Sequence, residues 1–212
     1  MNVQSVSQPS PLTALPSSHC SAASRMPLPQ RGRVQLFERN APRGGFVTKL
    51  DRLYVTTAAG HLYAVDTATG GVRWHVVLPG TAKGGASYVP EEDALIVGAS
   101  VGTRRATRGT VRAIRASDGA ELWSVATDLG DMRASPTVVA AAAPSAGHAA
   151  WMACGRREIC AFSTRDGEVL DRLSLPSTFT GTPTLYEGRM YITLFDGGLL
   201  AFAPRGAHGA RP

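Results

Sequence analysis

A turn-centred motif recurs along the chain, and this repeat constrains the fold more than any other feature. The copies align on turn glycines at spacings of 38, 49 and 48 residues: Gly32, Gly70, Gly119 and Gly167. An alanine recurs in the strand-like runs "HLYAV", "TVRAI", "EICAF" and "GLLAF": Ala64, Ala113, Ala161 and Ala201. The runs alternate with period two, and none shows a helical period. A repeat of this length built only from strands and turns predicts β-propeller blades.

Each repeat divides into four strand-like runs, A to D. One D run, "RGRVQLF", precedes the first A run, three complete A to D sets follow, and the chain finishes with A, B and C. A front D strand and a missing final D together make one more blade, which is how propellers hide their edge strands. The sequence therefore predicts an all-β fold of about four four-stranded antiparallel blades. They form either a closed ring or an arc of a larger propeller.

The motif "AVDTATGGVRW" resembles the tryptophan-docking motif of PQQ-like (quinoprotein) β-propeller repeats. The matching residues are Ala64, Asp66, Thr69, Gly70 and Trp74. The resemblance spans residues 33–204. It is weaker in the second blade, where Arg115 replaces the Asp, and weakest in the third, where Asp171 stands in place of the Trp. It implies that Trp74 and Trp123 dock between neighbouring blades.

Physical chemistry gives the motif residues structural roles. Asp66 and Thr69 are suited to hydrogen-bond the backbone of the C to D turn, and glycines such as Gly70 and Gly119 allow a positive φ there. The small alanines leave room for a large indole on the sheet. We therefore predict that these residues hold blades together and take no part in chemistry.

The ends of the chain differ from the repeats. Residues 1–32 are rich in Ser and Pro and predict a disordered tail, with a targeting sequence as the alternative. Residues 205–212 predict a flexible C-terminal tail.

The net charge is +6, but the basic residues are dispersed, so we predict no nucleic-acid partner. No apolar run approaches the roughly 20 residues of a spanning helix. The compartment is not indicated.

Several members of the quinoprotein family, whose repeat this chain resembles, are dehydrogenases. They hold PQQ beside calcium in an eight-bladed ring, with a disulfide between adjacent cysteines. The chain has no adjacent cysteines and about half the blades, so we assign no catalytic, cofactor or metal residue and predict no cofactor.

Cys154 and Cys160 flank a hairpin turn. Reduced, buried thiols are the favoured interpretation, with a cross-strand disulfide or half a metal site as alternatives. The acidic run Glu91 to Asp93 is typical of a solvated loop.

The segment "VGTRRATRGT" makes the second blade about seven residues longer than its neighbours. We predict a basic loop there, with Arg104, Arg105 and Arg108 binding an acidic partner segment or phosphate; the alternative is a mobile solvated loop.

The function predicted from the sequence is a non-catalytic, protein-binding propeller scaffold. One alternative is an accessory C-terminal propeller of an adenylate-forming, aminoadipate-semialdehyde-dehydrogenase-like enzyme; a PQQ-dependent dehydrogenase is less favoured. If the blades form an open arc, a homodimer of two half-rings is a further expectation.

Overall fold

Antiparallel strands in four consecutive sheets make up almost all of the regular structure. The computed structural model describes residues 47–49, 51–103, 106–127, 132, 134–140, 147–179 and 181–203. None of the helical structure in these residues has the length and apolar character that crossing a bilayer requires. The predicted tails, residues 1–32 and 205–212, and the front D run lie outside the described residues.

Each sheet is one blade, and its strands pair in chain order. Blade 1 contains β1 (Val47–Lys49), β2 (Arg52–Thr56), β3 (His61–Asp66) and β4 (Val72–Val77). Blade 2 contains β5 (Ser87–Val89), β6 (Ala94–Thr103), β7 (Ala106–Arg115) and β8 (Glu121–Thr127), with a short 3-10 helix at Pro90–Glu92. Blade 3 contains β9 (Thr137–Ala140), β10 (His148–Gly155), β11 (Glu158–Ser163) and β12 (Val169–Ser174). Blade 4 contains β13 (Thr184–Tyr186), β14 (Arg189–Thr193) and β15 (Leu199–Phe202).

The predicted all-β fold of antiparallel blades is confirmed. Three sheets have four strands, and blade 4 has three in the described part of the chain. The described residues show no closed ring.

The recurring alanine sits directly opposite the docking position on the outer strand. Ala64 pairs with Trp74, Ala113 with Trp123, and Ala161 with Asp171. In all three blades the register shifts by one residue just beyond this pair. The alanine therefore provides space on the sheet where an indole lies beside it.

Trp74 and Trp123, the two tryptophans at the docking position, reach into the next blade. Trp74 Nε1 donates a hydrogen bond to the Ala116 carbonyl at 3.1 Å, and Trp123 Nε1 donates to the Thr164 carbonyl at 2.7 Å. Each acceptor lies just past the C strand of the following blade. Each indole thus spans the boundary between two sheets.

The glycine of the receiving turn makes room for the indole. Gly119 has a φ of +82°, and a Cβ there would lie 3.0 Å from the Trp74 ring. Gly167 has a φ of +78°, and a Cβ there would lie 2.6 Å from the Trp123 ring. A side chain at either site would be strained by the backbone and would also collide with the docked ring.

The apolar core lies between blades. One cluster joins blades 1 and 2, including Tyr54, Leu62, Leu95 and Ile114. A second joins blades 2 and 3 around Ile96, Val111, Met152 and Phe162. A third joins blades 3 and 4 around Ile159, Leu173, Ile192 and Leu200. Alternate residues of each central strand face opposite neighbours, so each blade needs a blade on either side to bury both faces.

The first strands of successive blades are also linked by hydroxyl groups. Ser135 Oγ accepts a hydrogen bond from the Gly85 amide at 2.8 Å, and Ser87 Oγ donates to the Pro136 carbonyl at 2.5 Å. Thr137 Oγ1 donates in the same way to the Pro183 carbonyl of blade 4. A repeated polar row thus runs along the first strands.

The Trp–Gly contact gives a direct test. We expect Gly167→Ala to lower the free energy of unfolding by about 2 to 4 kcal/mol, because backbone strain and a collision with Trp123 add together. Gly188→Ala is the matched control: Gly188 has a φ of +70° but nothing within 4 Å of a Cβ. It should cost only the strain, about 1 kcal/mol. Urea unfolding measures both, and equal losses would contradict a role for the Trp contact.

Candidate functional site

The insertion of blade 2 extends its central hairpin. Strands β6 and β7 pair continuously from Ala94 with Arg115 to Thr103 with Ala106. Among the described residues, strand β8 accompanies β7 from Gly109 onward. Within this part of the chain, residues 101–103 and 106–108, here called the hairpin tip, therefore continue as two strands beyond the four-stranded sheet.

This extension corrects the prediction of a basic loop of about ten residues. Arg108 lies within β7, opposite Val101, and its side chain is exposed. Arg104 and Arg105 lie outside the described residues. The physical reason is that the backbone groups of the inserted residues pair with each other across the ladder, which satisfies their hydrogen bonds.

The base of the hairpin is tightly packed. A Cβ at Gly109 would lie 2.6 Å from Met132 Cε, and a Cβ at Gly98 would lie 2.5 Å from Met152 Cε. The Met132 amide donates to Ser100 Oγ at 2.7 Å. The two glycines therefore admit methionine side chains against the strands, and the tip projects from a fixed base.

Charge at the tip differs from charge along the rest of β7. Arg112 pairs with Glu121, and Arg115 lies 3.0 Å from Asp118. Within the part of the chain that the structure describes, no carboxylate pairs with Arg108. Val101, directly across the ladder, is 43% exposed. The tip thus offers a cation beside an apolar side chain.

The turn carboxylates are engaged in structure. Asp66 accepts hydrogen bonds from the amides of Ala68 at 3.0 Å and Thr69 at 2.8 Å. Its other oxygen accepts from Arg73 Nε at 3.0 Å, and this guanidinium holds the pKa of Asp66 well below its usual range. Asp118 and Asp166 cap their turns in the same way, and hydrogen bonds from the amides of Ala120 and Glu168 respectively lower their pKa values.

The acidic run after β5 is part of the blade contacts, which corrects the prediction of a solvated loop. Asp93 adopts a φ of +47° and accepts a hydrogen bond from Lys49 Nζ at 2.7 Å. This bond raises the pKa of Lys49, whose ammonium also lies 4.8 Å from the Tyr88 ring centroid. Glu92 accepts from Thr164 Oγ1 of blade 3 at 2.8 Å. The run therefore joins blade 2 to both neighbours.

Two histidines meet on blade 1 across the β3–β4 hairpin. His61 Nδ1 lies 2.6 Å from His75 Nε2, and their rings stack with 4.8 Å between centroids. Tyr63 stacks on His75 at 4.4 Å. No group of three or more His, Cys, Asp or Glu side chains suited to a metal occurs among the described residues.

Cys154 and Cys160 form a disulfide, with their Cα atoms 5.7 Å apart. This corrects the favoured prediction of reduced thiols. The β10–β11 register shifts between Ala153 and Gly155, so Cys154 is an extra residue in its strand with no direct cross-strand partner. Sequence spacing alone does not reveal this bulge. As a disulfide, the two sulfurs no longer offer thiolate ligands to a metal.

A small recess lies beside the disulfide. Its volume is about 210 Å³, and Val125, Thr127, Phe162 and Arg172 line it together with the two cysteines. Pockets for drug-sized ligands are roughly 300 to 1,000 Å³. The recess therefore does not match the size of a large cofactor.

Sheets of four antiparallel strands joined by docked tryptophans define a PQQ-like repeat β-propeller. A family model described as outer membrane protein assembly factor BamB matches residues 21–206. The chain belongs to this family. No curated protein matches it significantly.

Solved structures share the fold. BamB from Moraxella catarrhalis is 24% identical, with a TM-score of 0.56 over 77% of this chain and 47% of that chain. BBS1N in complex with ARL6DN is 16% identical, with a TM-score of 0.58 over 77% and 48%. The quinohemoprotein alcohol dehydrogenase from Comamonas testosteroni is 15% identical, with a TM-score of 0.55 over 72% and 29%. The chain thus spans about half the length of the first two.

The disulfide and the turn carboxylates do not have the arrangement of a quinoprotein cofactor site. The disulfide joins cysteines separated by six positions rather than adjacent ones. Three of the acidic side chains on the blades, Asp66, Asp118 and Asp166, already accept hydrogen bonds in turns. The donor set that calcium and PQQ require is therefore not assembled from these residues.

The disulfide yields a second prediction. We expect Cys154→Ser with Cys160→Ser to lower the free energy of unfolding by about 2 kcal/mol, because the bond closes a short loop in the unfolded chain. Cys20→Ser should have no effect. In denaturant without reductant, a thiol reagent should titrate one of the three cysteines, and all three after reduction. Three reactive thiols before reduction would contradict the bond.

Proposed function

We propose that the chain is a non-catalytic propeller scaffold that binds a protein partner through the hairpin tip of blade 2. The observation that carries the proposal is the projection of this tip from a packed base, with Val101 exposed and with Arg108 paired to no carboxylate among the described residues. The central hairpins of the other three blades are shorter. A feature confined to one repeat suits a specific contact better than a general structural role.

The partner's chemistry follows from the tip. A cation without a carboxylate neighbour gains from an opposite charge, and an apolar side chain beside it gains from burial. We infer an acidic segment that also carries apolar residues. Family membership supports a scaffold role, as does the solved BBS1N structure, which is described as a complex with ARL6DN.

The arginine test removes the charge of the tip. Arg104→Ala, Arg105→Ala and Arg108→Ala are combined, and binding of a fluorescent peptide of alternating Glu and Leu is measured by anisotropy. We expect the affinity to fall by about tenfold or more, since exposed charge pairs contribute up to about 1 kcal/mol each. Binding of the unaltered chain should also weaken as salt rises.

A matched control removes three arginines elsewhere. Arg156→Ala, Arg165→Ala and Arg189→Ala change the net charge equally, on blades 3 and 4. They should leave the affinity unchanged. The proposal is wrong if both triple variants lose affinity equally, or if the unaltered chain does not bind the peptide.

A further inference from the structure

One position of the repeat differs sharply between blade 4 and the others. Two residues before each recurring alanine, the central strand carries Leu62, Val111, Ile159 or Leu199. The first three are 0% exposed because the following blade covers them. Leu199 is 64% exposed. Blade 4 thus presents an apolar docking face that no blade of the described residues covers.

Other repeat positions of blade 4 are also more exposed than their equivalents in blades 1 to 3. Ala64, Ala113 and Ala161 are buried, whereas Ala201 is exposed. Ser87 and Thr137 donate hydrogen bonds to the next blade, whereas the equivalent Thr184 is exposed. Leu200 and Phe202, on the opposite face of β15, pack against blade 3 as expected. The uncovered face is therefore specific to the side where a following blade belongs.

The edge of β15 is uncovered as well. In blades 1 to 3 the strand that carries the recurring alanine pairs with a fourth strand, and in the described residues β15 pairs with β14 alone. An edge strand with exposed apolar residues is a site for pairing with another chain segment.

The sequence contains one unassigned D run, residues 31–37, "RGRVQLF". Its Gly32 aligns with the turn glycines, and the docking residue follows each turn glycine by four positions, as in Gly70 and Trp74. This rule places Leu36 at the docking position. The run precedes the first strand of blade 1 in the sequence, so the order of the repeat assigns it to the blade that stands before blade 1.

We propose that this blade is blade 4 of a second copy of the chain. Residues 31–37 of each copy pair with β15 of the other, and each blade 4 packs its exposed face on the other copy's blade 1. The exposure of Leu199 indicates that the chain's own blade 1 does not cover this face. Two reciprocal, identical contacts close the assembly about a two-fold axis.

Two chains of four blades joined by these two contacts would make an eight-bladed ring. This self-association is independent of the hairpin tip, which lies on blade 2.

Solution mass is the first test. Multi-angle light scattering of the full chain should give about twice 22.3 kDa. Leu199→Arg should raise the dissociation constant at least tenfold, because it places a charge in an apolar contact, and the far-UV spectrum should stay unchanged. Leu122→Arg, at a 39% exposed position on the outer strand of blade 2, is the control and should remain dimeric. A monomeric unaltered chain, or a mass above two copies, overturns the proposal.

Cross-linking distinguishes pairing of residues 31–37 with β15 of another copy from the same pairing within one chain. By the register of Ala64 with Trp74, Leu36 of one copy should lie opposite Ala201 of the other. A Leu36→Cys chain and an Ala201→Cys chain, both with Cys20→Ser, are unfolded, mixed and refolded. A disulfide-linked dimer of the two is expected on a non-reducing gel. If instead a chain carrying both substitutions joins its two introduced thiols to each other within one monomer, the ring closes alone and the proposal is wrong.

Discussion

The docking of an indole onto the turn glycine of the next blade sets the spacing between blades 1, 2 and 3, on which much of the structure depends. Trp74 reaches the Ala116 carbonyl, which also accepts hydrogen bonds from Tyr54 Oη at 3.0 Å and Arg52 Nη1 at 3.1 Å. One carbonyl thus collects three donors from the preceding blade. Because a sheet exposes both faces, blades held at this distance can interdigitate their apolar side chains and bury them.

The order of strands was predictable because it depends on local chemistry. Turn glycines and period-two alternation are visible in any single repeat, and their recurrence fixes strand order without knowledge of long-range contacts. The pairing of Ala64 with Trp74 places a small residue opposite a large one, and the same two residue types recur in blade 2. Here local propensity and tertiary packing favour the same structure.

The features that the sequence did not reveal depend on register or on distant partners. The Cys154–Cys160 bond requires a bulge whose position no spacing rule specifies. Asp93 belongs to an acidic run, yet its left-handed backbone turns its carboxylate toward Lys49, 44 residues away. The basic insertion pairs with itself at three positions, which extend the β6–β7 ladder to ten pairs. Composition describes such segments as polar, but their partners decide where they lie.

A rigid base changes what an inserted hairpin can do. A flexible loop must become ordered when it binds, and immobilising each long side chain costs roughly 0.5 to 1.5 kcal/mol of binding free energy. At the base of the blade 2 hairpin, Gly98 and Gly109 admit Met152 and Met132, and Ser100 holds the Met132 amide. The base therefore loses its conformational entropy during folding, when the second core cluster, which includes Met132, forms. The same packing that joins blades 2 and 3 thus presents Val101 and Arg108 in a defined orientation. Under the proposed function, one contact would therefore serve both the stability of the blades and the binding of a partner.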